Sequence, residues 1–306
     1  MSTKIVCGIP TYNGAQRLDW LLRSISLRTP LLAFGDVRIV VVDDGSPRVA
    51  ETRVVADHWG KMLPLTFIEH GHNRGISAGW NTSVRATDAE ICVLLNDDVI
   101  VASGGWLEAL VYALEHSPGV GVVGQSWHAF LPEDVPALLA APNSDLVVVP
   151  RDPVSKIALP ERRTLYEDTN PGRVMCPTGQ LFAFRRRDFD AIGGFDENYK
   201  SFYEESDLGT AMASRGLIGL QTTWPFCWHL WSATFAANPE LQAGPRIEHS
   251  RAYYRKKWNV PDGIAEFDYT NPKFLGAIGD VAVEVLTKTG VRRGVLRADG
   301  AFVGAP

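Results

Sequence analysis

The first hundred residues alternate short apolar runs of β-strand character with amphipathic helical patterns. The run 37–42 is rich in Val and Ile, which is typical of a strand buried on both faces of a sheet. The segment Ala15–Leu27 instead repeats its leucines at helical spacing, so that they fall on one face. Strands that alternate with helices in this way predict a mostly parallel sheet covered by helices, that is, an α/β fold.

Polar residues cluster where the predicted strands end. Thr11-Tyr12-Asn13 follows the first strand, Asp43-Asp44 the second, His70–Arg74 the third and Asn96-Asp97-Asp98 the fourth. Parallel strands of one sheet place their carboxyl ends at a common edge, and ligands of α/β proteins bind in the crevice beyond that edge. The sequence therefore predicts a ligand site built from these four clusters.

The fourth cluster suggests the chemistry of that site. The apolar run Ile91–Leu95 ends in Asn96-Asp97-Asp98. Two carboxylates at the end of a buried strand cost free energy unless their charge is offset. A divalent cation that also holds a substrate phosphate would offset it, because hard cations bind one or two carboxylates together with phosphate oxygens. The alternative interpretation is a solvated acidic turn.

The bulk properties exclude several classes of protein. A chain of 306 residues can bury the core of one large domain or two intimate ones. The net charge of −5 gives no sign of a broad nucleic-acid surface, and the four cysteines form no CxxC pair that would suggest zinc. The N-terminus lacks a signal-peptide pattern, and no apolar run approaches the ~20 residues that span a bilayer. We expect a cytoplasmic protein, with peripheral membrane association as the alternative.

The ordered motifs resemble those of inverting family 2 glycosyltransferases of the GT-A fold, over roughly Lys4–Trp258. The motifs that carry the resemblance are Ile9-Pro10-Thr11-Tyr12-Asn13, Val40-Val41-Val42-Asp43-Asp44-Gly45-Ser46, Asn73-Arg74-Gly75, Leu95-Asn96-Asp97-Asp98, Thr178-Gly179, Gly193-Gly194-Phe195-Asp196-Glu197 and Tyr203-Glu204-Glu205-Ser206-Asp207-Leu208. The resemblance implies a Rossmann-like, mostly parallel central sheet flanked by helices. It also implies a nucleotide-sugar-binding half (1–100), an acceptor-binding and catalytic half (101–235) and a C-terminal helical extension (236–306).

The resemblance assigns the nucleotide sugar to the strand ends and to the helix that follows the third strand. Asp43 or Asp44 can accept a hydrogen bond from the N3–H of uracil or from ribose hydroxyls. Asn73 and Gly75 lead into a helix N-terminus, which favours anionic ligands. The residues implied in donor binding are Pro10, Thr11, Tyr12, Asn13, Asp43, Asp44, Asn73, Gly75, Asn81, Asn96 and Asp97.

The metal is expected on Asp98, because Asn96-Asp97-Asp98 occupies the position of the family's DxD motif. The first position is Asn here, which keeps an oxygen acceptor but contributes no charge. His229 is implied as a further ligand, and imidazole suits Mn²⁺ better than Mg²⁺. The expected cofactor is therefore a divalent metal, Mn²⁺ or Mg²⁺. The alternative for His229 is a core histidine among tryptophans.

The general base is expected at Glu205, where the family usually has Asp. An inverting sugar transfer needs a base that takes the proton of the attacking hydroxyl. Glu204 and Asp207 would orient the acceptor or the base. An acid-rich helix N-terminus is the alternative interpretation of this motif. Thr178 and Gly179 should line the cleft on the acceptor side, and Trp228 could offer an apolar platform for a sugar ring.

The predicted function is transfer of a sugar from a UDP- or dTDP-sugar to the hydroxyl of a glycan, a lipid-linked glycan or another acceptor. One alternative is a catalytically inactive protein of the same fold that binds carbohydrate or nucleotide. A nucleotidyltransferase is a second, but the turn after the first strand lacks the Lys that such enzymes use to bind phosphate. A nicotinamide dehydrogenase is disfavoured, since no G-x-G-x-x-G follows that strand.

Overall fold

The computed structural model describes residues 3–29, 35–101, 103–140, 171–174, 176–177, 179–230, 233–263, 278–287 and 290–304. The predicted acceptor residue Thr178 lies outside these ranges, and so does the apolar run Leu146–Val149, whose sequence predicts a short strand. The helices and strands are, in chain order, β1 (Ile5–Thr11), α1 (Ala15–Arg28), β2 (Val37–Asp43), α2 (Val49–Trp59), β3 (Leu65–Glu69), α3 (Ile76–Arg85), β4 (Ile91–Leu95), β5 (Val99–Val101), α4 (Trp106–His116), β6 (Val120–Ala129), α5 (Val135–Ala140), β7 (Gly172–Val174), β8 (Leu181–Arg185), α6 (Arg186–Ile192), α7 (Glu204–Ala213), β9 (Ile218–His229), α8 (Ala233–Ala237), α9 (Ala243–Trp258), β10 (Val281–Thr287), β11 (Gly290–Leu296) and β12 (Phe302–Gly304).

One large sheet forms the centre of the molecule, in the order β3-β2-β1-β4-β8-β6-β9-β5, with β7 paired to β9. The strands β3, β2, β1 and β4 are parallel, as the alternating pattern predicts, and Thr11 lies beside Asp43 in register. β8 runs antiparallel to both β4 and β6, while β6 and β9 are parallel. The predicted α/β architecture, a central sheet flanked by helices, is confirmed.

Apolar residues cover both faces of the sheet. Along β1, Ile5 packs against the face that α1 and α4 cover, and Val6 packs with Trp80 of α3 on the opposite face. Every residue of β4 is buried, including Cys92. A strand buried on both faces cannot alternate apolar with polar residues, which explains its continuous apolar sequence.

Within the described residues, the last helix of the chain ends at Trp258. The prediction of a helical extension is wrong for residues 281–287, 290–296 and 302–304, which form the antiparallel sheet β10-β11-β12. Val283 and Val285 of β10 are buried and two positions apart, which is the period of a strand. β10 is joined to α4 by a hydrogen bond of 3.0 Å from Tyr112 Oη to Glu284 Oε2. Among the described residues, no helix is long and apolar enough to cross a membrane.

Candidate active site

A cleft of about 360 Å³ opens at the carboxyl ends of β1, β2 and β4. The start of α7 and residues of the C-terminal segment complete its walls. It brings together most of the residues predicted from the sequence, namely Pro10, Thr11, Tyr12, Asp44, Asn73, Gly75, Asn96, Asp97, Asp98, Gly179, Glu204, Glu205 and His229. The parallel β-strands explain this assembly, because each contributes its polar cluster to the same edge.

At the end of β2, the Asp44 carboxylate is held by three donors. His70 Nδ1 lies 2.8 Å from Asp44 Oδ1, and the backbone N–H of Arg74 donates to the same oxygen at 2.9 Å. The N–H of Gly75 donates to Oδ2 at 2.7 Å. Gly75 has a φ of 96°, and a Cβ there would lie 2.6 Å from the Cα of Lys200. Asp44 thus fixes the turn that starts α3, in a conformation that suits glycine.

At the end of β4, Asp97 is part of a buried ion pair. Its Oδ2 accepts a hydrogen bond of 2.6 Å from Thr11 Oγ1 and lies 3.2 Å from Arg17 Nη2. Burial raises the pKa of Asp97, and the Arg17 guanidinium opposes this shift. A Cβ on Gly14 would lie 1.9 Å from Asp97 Oδ2, so the carboxylate occupies space that any other residue there would fill. Asp97 therefore ties β4 to the start of α1.

Asp98 faces His229 from β9 across the floor of the cleft. Asp98 Oδ1 lies 3.1 Å from His229 Nε2, and both side chains line the cleft. A carboxylate and an imidazole side by side are donors that suit Mn²⁺. No group of three or more His, Cys, Asp or Glu able to hold a metal occurs within the described ranges. The pair fits a metal whose remaining ligands are phosphate oxygens of a substrate.

Two acidic residues, Glu204 and Glu205, begin α7 and also line the cleft. Glu204 Oε2 and Glu205 Oε2 are buried and have no hydrogen-bond partner among the described residues. Burial and the neighbouring Glu205 raise the pKa of Glu204 well above its usual range, and burial raises the pKa of Glu205. Phe202 and Tyr203, just before the helix, both have a φ of 67°, which strains a bulky residue. The chain thus places two desolvated carboxyl groups at a strained turn.

Five predicted site residues do not line the cleft. They are Asn13, Asp43, Asn81, Asp207 and Trp228. Asp43 Oδ1 caps its own turn by accepting 2.8 Å from the N–H of Ser46. Asn81 exchanges hydrogen bonds with the backbone of Phe195, at 3.0 and 2.9 Å. Trp228 is buried in an apolar cluster with Ile100 and Phe130.

Asp207 points away from the cleft and joins α7 to α9. Its carboxylate accepts hydrogen bonds of 2.8 Å from Lys257 Nζ and 2.8 Å from Trp258 Nε1. The hydroxyl of Tyr199 donates to it at 3.2 Å. Burial raises the pKa of Asp207, and Lys257 opposes the shift. These contacts hold the helix that carries Glu204 and Glu205.

The sequence matches glycosyl transferase family 2 over residues 7–193. The chain belongs to this family. The match agrees with the resemblance that the motifs predict and with the expected enzyme class, a glycosyltransferase. A similar curated protein, the O-antigen biosynthesis protein RfbC of Myxococcus xanthus, is 25% identical over 279 residues. The alignment covers 88% of this chain and 20% of RfbC, so the chain spans about a fifth of the length of that relative.

Several solved glycosyltransferases share the fold. The mannosyltransferase PcManGT from Pyrobaculum calidifontis, in complex with GDP-Man and Mn²⁺, aligns with a TM-score of 0.54 and 22% identity over 83% of this chain and 70% of its own. GalNAc-T7 with UDP, GalNAc and Mn²⁺ aligns with a TM-score of 0.55 and 15% identity over 99% of this chain and 71% of its own. S. aureus TarS 1-349 in complex with UDP aligns with a TM-score of 0.51 and 15% identity over 74% of this chain and 60% of its own. These similarities confirm the GT-A fold.

Several residues that shape the site of this family 2 glycosyltransferase are not predicted from the sequence. Arg17 of α1 holds the Asp97 carboxylate. His70, which the sequence places only within the polar cluster after the third strand, holds the Asp44 carboxylate. Phe202 and Phe235 stack in its wall with ring centroids 5.0 Å apart, and Arg246 of α9 lines it. Arg17 lies four residues before Leu21, on the buried face of α1, which is an unusual place for a charged residue.

Proposed function

We propose that the chain transfers a sugar from a nucleotide-diphosphate sugar to an acceptor hydroxyl, with inversion at the anomeric carbon. The observation that carries the proposal is the cleft itself. It is lined both by the Asp98–His229 pair and by the desolvated carboxyl of Glu205. A leaving diphosphate and an attacking hydroxyl need groups of these two kinds on opposite sides of the sugar.

The donor would lie along the sheet edge, with its nucleoside toward Asp44 and its diphosphate toward Asp98. Asp98 and His229 would hold Mn²⁺ or Mg²⁺, which neutralises the charge that develops on the departing diphosphate. Asn96 supports a ribose contact, because its Oδ1 is buried without a partner among the described residues and can accept a hydrogen bond from a hydroxyl. A UDP- or dTDP-sugar is the favoured donor; among the similar structures, TarS and GalNAc-T7 contain UDP and PcManGT contains GDP-Man.

Glu205 would act as the general base. The acceptor hydroxyl gives its proton to the Glu205 carboxylate, its oxygen bonds to the anomeric carbon, and the bond from that carbon to the diphosphate oxygen breaks. Burial raises the pKa of Glu205, which makes the carboxylate a stronger base than an exposed glutamate. Gly179 borders this base, since a Cβ there would lie 3.4 Å from the Glu205 carboxyl carbon. RfbC is named for O-antigen biosynthesis, which favours a glycan or lipid-linked glycan acceptor.

Thermal unfolding tests the donor site. The protein is heated with UDP, dTDP, GDP and CDP, each with and without Mn²⁺. A ligand at about a hundred times its dissociation constant adds roughly 2.7 kcal/mol to the free energy of unfolding. We expect such a gain for at least one nucleotide, only with Mn²⁺, and its loss in Asp98→Ala. The exposed Asp57 of α2 supplies the control variant, Asp57→Ala, which should keep the gain.

A turnover assay distinguishes an active glycosyltransferase from an inactive protein of the same fold. The sugar nucleotides that match the stabilising nucleotide are incubated with the protein and Mn²⁺, and release of the nucleoside diphosphate is measured with glycan acceptors and with water alone. Release that depends on Asp98 supports the proposal. Tight, metal-dependent binding without any release would favour the inactive, nucleotide-binding alternative, and no stabilisation by any nucleotide would contradict the proposed donor site.

A further inference from the structure

Arg246 is a cation in the cleft that the proposed reaction does not yet use. It lies in the first turns of α9, beyond the segment 7–193 that matches the family. Its Nη2 donates to Asn73 Oδ1 at 3.3 Å, and its Nη1 donates to Ser201 Oγ at 3.4 Å. Both bonds are long, and a guanidinium carries five N–H donors in a fixed plane. Arg246 therefore has donors available for a ligand in the cleft.

The position of Arg246 is set by the rest of α9. Ser250 Oγ donates to the carbonyl oxygen of Ser201 at 2.8 Å, and Tyr254 Oη lies 2.7 Å from Thr210 Oγ1. The last turn of the helix is bound to Asp207 through Lys257 and Trp258. α9 is thus fixed along its length to α7 and to the turn before it. The helix delivers the guanidinium to a fixed place in the cleft wall.

That place is at the nucleoside end of the cleft. Burial lowers the pKa of Arg246, and the carboxylate of Asp44 opposes this shift, so the two charges are close enough to interact. Asn73 lies between them in the turn that Asp44 holds. β2, which leads to Asp44, and β4, which leads to Asp98, are separated by β1. Two inter-strand spacings amount to about 10 Å, so Arg246 and the metal pair face different parts of one nucleotide.

Asp44 is prepared to accept one further hydrogen bond. A carboxylate has about four lone-pair sites, and His70, the N–H of Arg74 and the N–H of Gly75 occupy three of them. One free acceptor site beside a guanidinium donor is complementary to a ligand edge that presents an N–H next to a C=O. A ribose diol would instead offer two hydroxyl donors to the single free site.

We propose that Arg246 and Asp44 together select the nucleobase, with Arg246 donating to a ring carbonyl and Asp44 accepting from the adjacent ring N–H. This inference rests on the proposed function, since it assumes a nucleotide donor. Uracil, thymine and guanine present such an edge. Cytosine and adenine present a ring nitrogen acceptor beside an amino group, which would meet the Asp44 carboxylate with a lone pair and Arg246 with a donor. Arg246 is thus a specificity residue that α9 supplies.

The test compares four nucleotides that carry the same diphosphate. The dissociation constants of UDP, GDP, CDP and ADP are measured by calorimetry with Mn²⁺ for the wild-type protein, Arg246→Ala and Arg246→Met, which keeps the aliphatic stem. Lys256→Ala removes an exposed cation from the same helix and is the control. Thermal unfolding without nucleotide checks that each variant folds.

We expect the wild-type protein to prefer UDP or GDP over CDP and ADP by at least about tenfold. Loss of a hydrogen bond from a charged donor should weaken the preferred nucleotide about 10- to 100-fold in both Arg246 variants, and CDP and ADP by less than about threefold. Equal weakening of all four would show that Arg246 binds the diphosphate, and no weakening would show that it does not touch the nucleotide; either result overturns the inference alone. Failure of the wild-type protein to bind any of the four would overturn the proposed function as well.

Discussion

The carboxylates at the carboxyl ends of the strands and those at the start of α7 line the same cleft, but they differ in their hydrogen-bond partners. Asp44 and Asp97 are surrounded by protein donors, which include His70 for the first and Arg17 for the second. Burial raises the pKa of both Glu204 and Glu205, yet each keeps a buried Oε2 with no hydrogen-bond partner among the described residues.

This difference separates carboxylates that hold the turns of the site from carboxylates that have an oxygen free to take a proton. A buried carboxylate with its donors in place stabilises the turn that supplies them. A buried carboxyl with one oxygen left without a donor lowers stability, and natural proteins keep such groups mainly where a raised pKa serves function. Substitutions should therefore have opposite consequences on the two walls: loss of stability at the sheet edge, and loss of activity at α7.

The largest effect is expected for Glu205→Gln. The amide keeps the shape of the side chain but cannot take a proton from the acceptor hydroxyl. Loss of a general base typically lowers kcat about 10²- to 10⁴-fold. Nucleotide release from the sugar nucleotide should fall by this factor, while the stabilisation by nucleotide and Mn²⁺ in thermal unfolding should not change.

The exposed Glu248 of α9 provides the matched control, and Glu248→Gln should keep full turnover. If Glu205→Gln also keeps full turnover, Glu205 is not the base. If Glu205→Gln loses nucleotide binding together with turnover, the role of Glu205 is not confined to proton transfer, and the proposed difference between the two sets of carboxylates is wrong.

At the sheet edge, Arg17→Met should mainly destabilise the fold. It leaves the Asp97 carboxylate buried with Thr11 as its remaining described partner. Removal of one member of a buried ion pair costs about 3–5 kcal/mol, because the other charge stays uncompensated. Chemical denaturation should show this loss in the free energy of unfolding.

The double variant Arg17→Met/Asp97→Asn tests the cause. Since it removes both charges, it should be more stable than Arg17→Met alone. A double variant that is no more stable than the single one would mean that Arg17 acts through packing of its side chain and not through its charge.

The strand ends could be predicted from the sequence, because backbone topology alone brings them together. The polar clusters after β1, β2 and β4 meet in the cleft as their positions in the chain imply. The same reasoning cannot distinguish neighbours within a cluster. Asp44 lines the cleft while Asp43 caps its own turn, and this difference depends on which way the chain leaves β2.

Contacts between segments that are far apart in the chain could not be predicted from the sequence patterns. The sequence gives no reason for Arg17 to meet Asp97, or for α9 to deliver Arg246, because both pairings depend on tertiary packing. β9 and the sheet β10-β11-β12 were also missed. The alternating valines of β10 are a strand pattern, but the resemblance implied a helical extension over residues 236–306.

On the α7 wall, Glu204→Gln should increase stability at neutral pH. The pKa of Glu204 in the folded protein is raised well above its ordinary value of 4.5. As pH rises above 4.5, the unfolded chain loses this proton first, so the wild-type protein loses stability with rising pH until the folded pKa is passed. The neutral amide removes this loss.

The gain should be about 1–2 kcal/mol at neutral pH and should shrink toward zero near pH 4, where the carboxyl is protonated in both states. Denaturation of both proteins across this pH range measures it. A variant that is less stable than the wild-type protein at neutral pH would show that Glu204 makes a favourable ionic contact, and would place it with the sheet-edge carboxylates.

The smallest effect is expected for Thr82→Val, because Thr82 contacts Asp44 only through His70. The substitution removes the hydroxyl that lies 2.9 Å from His70 Nε2 and keeps the volume of the side chain. A buried ring nitrogen without its partner should cost about 1 kcal/mol of stability. Asp44 nevertheless keeps the N–H groups of Arg74 and Gly75, which are backbone donors that the substitution does not move.

UDP affinity should therefore fall less than about threefold, because the carboxylates of the sheet edge are held by several donors at once. A fall of tenfold or more would mean that His70 alone orients Asp44, and the sheet edge would then be as sensitive to single changes as the wall of α7.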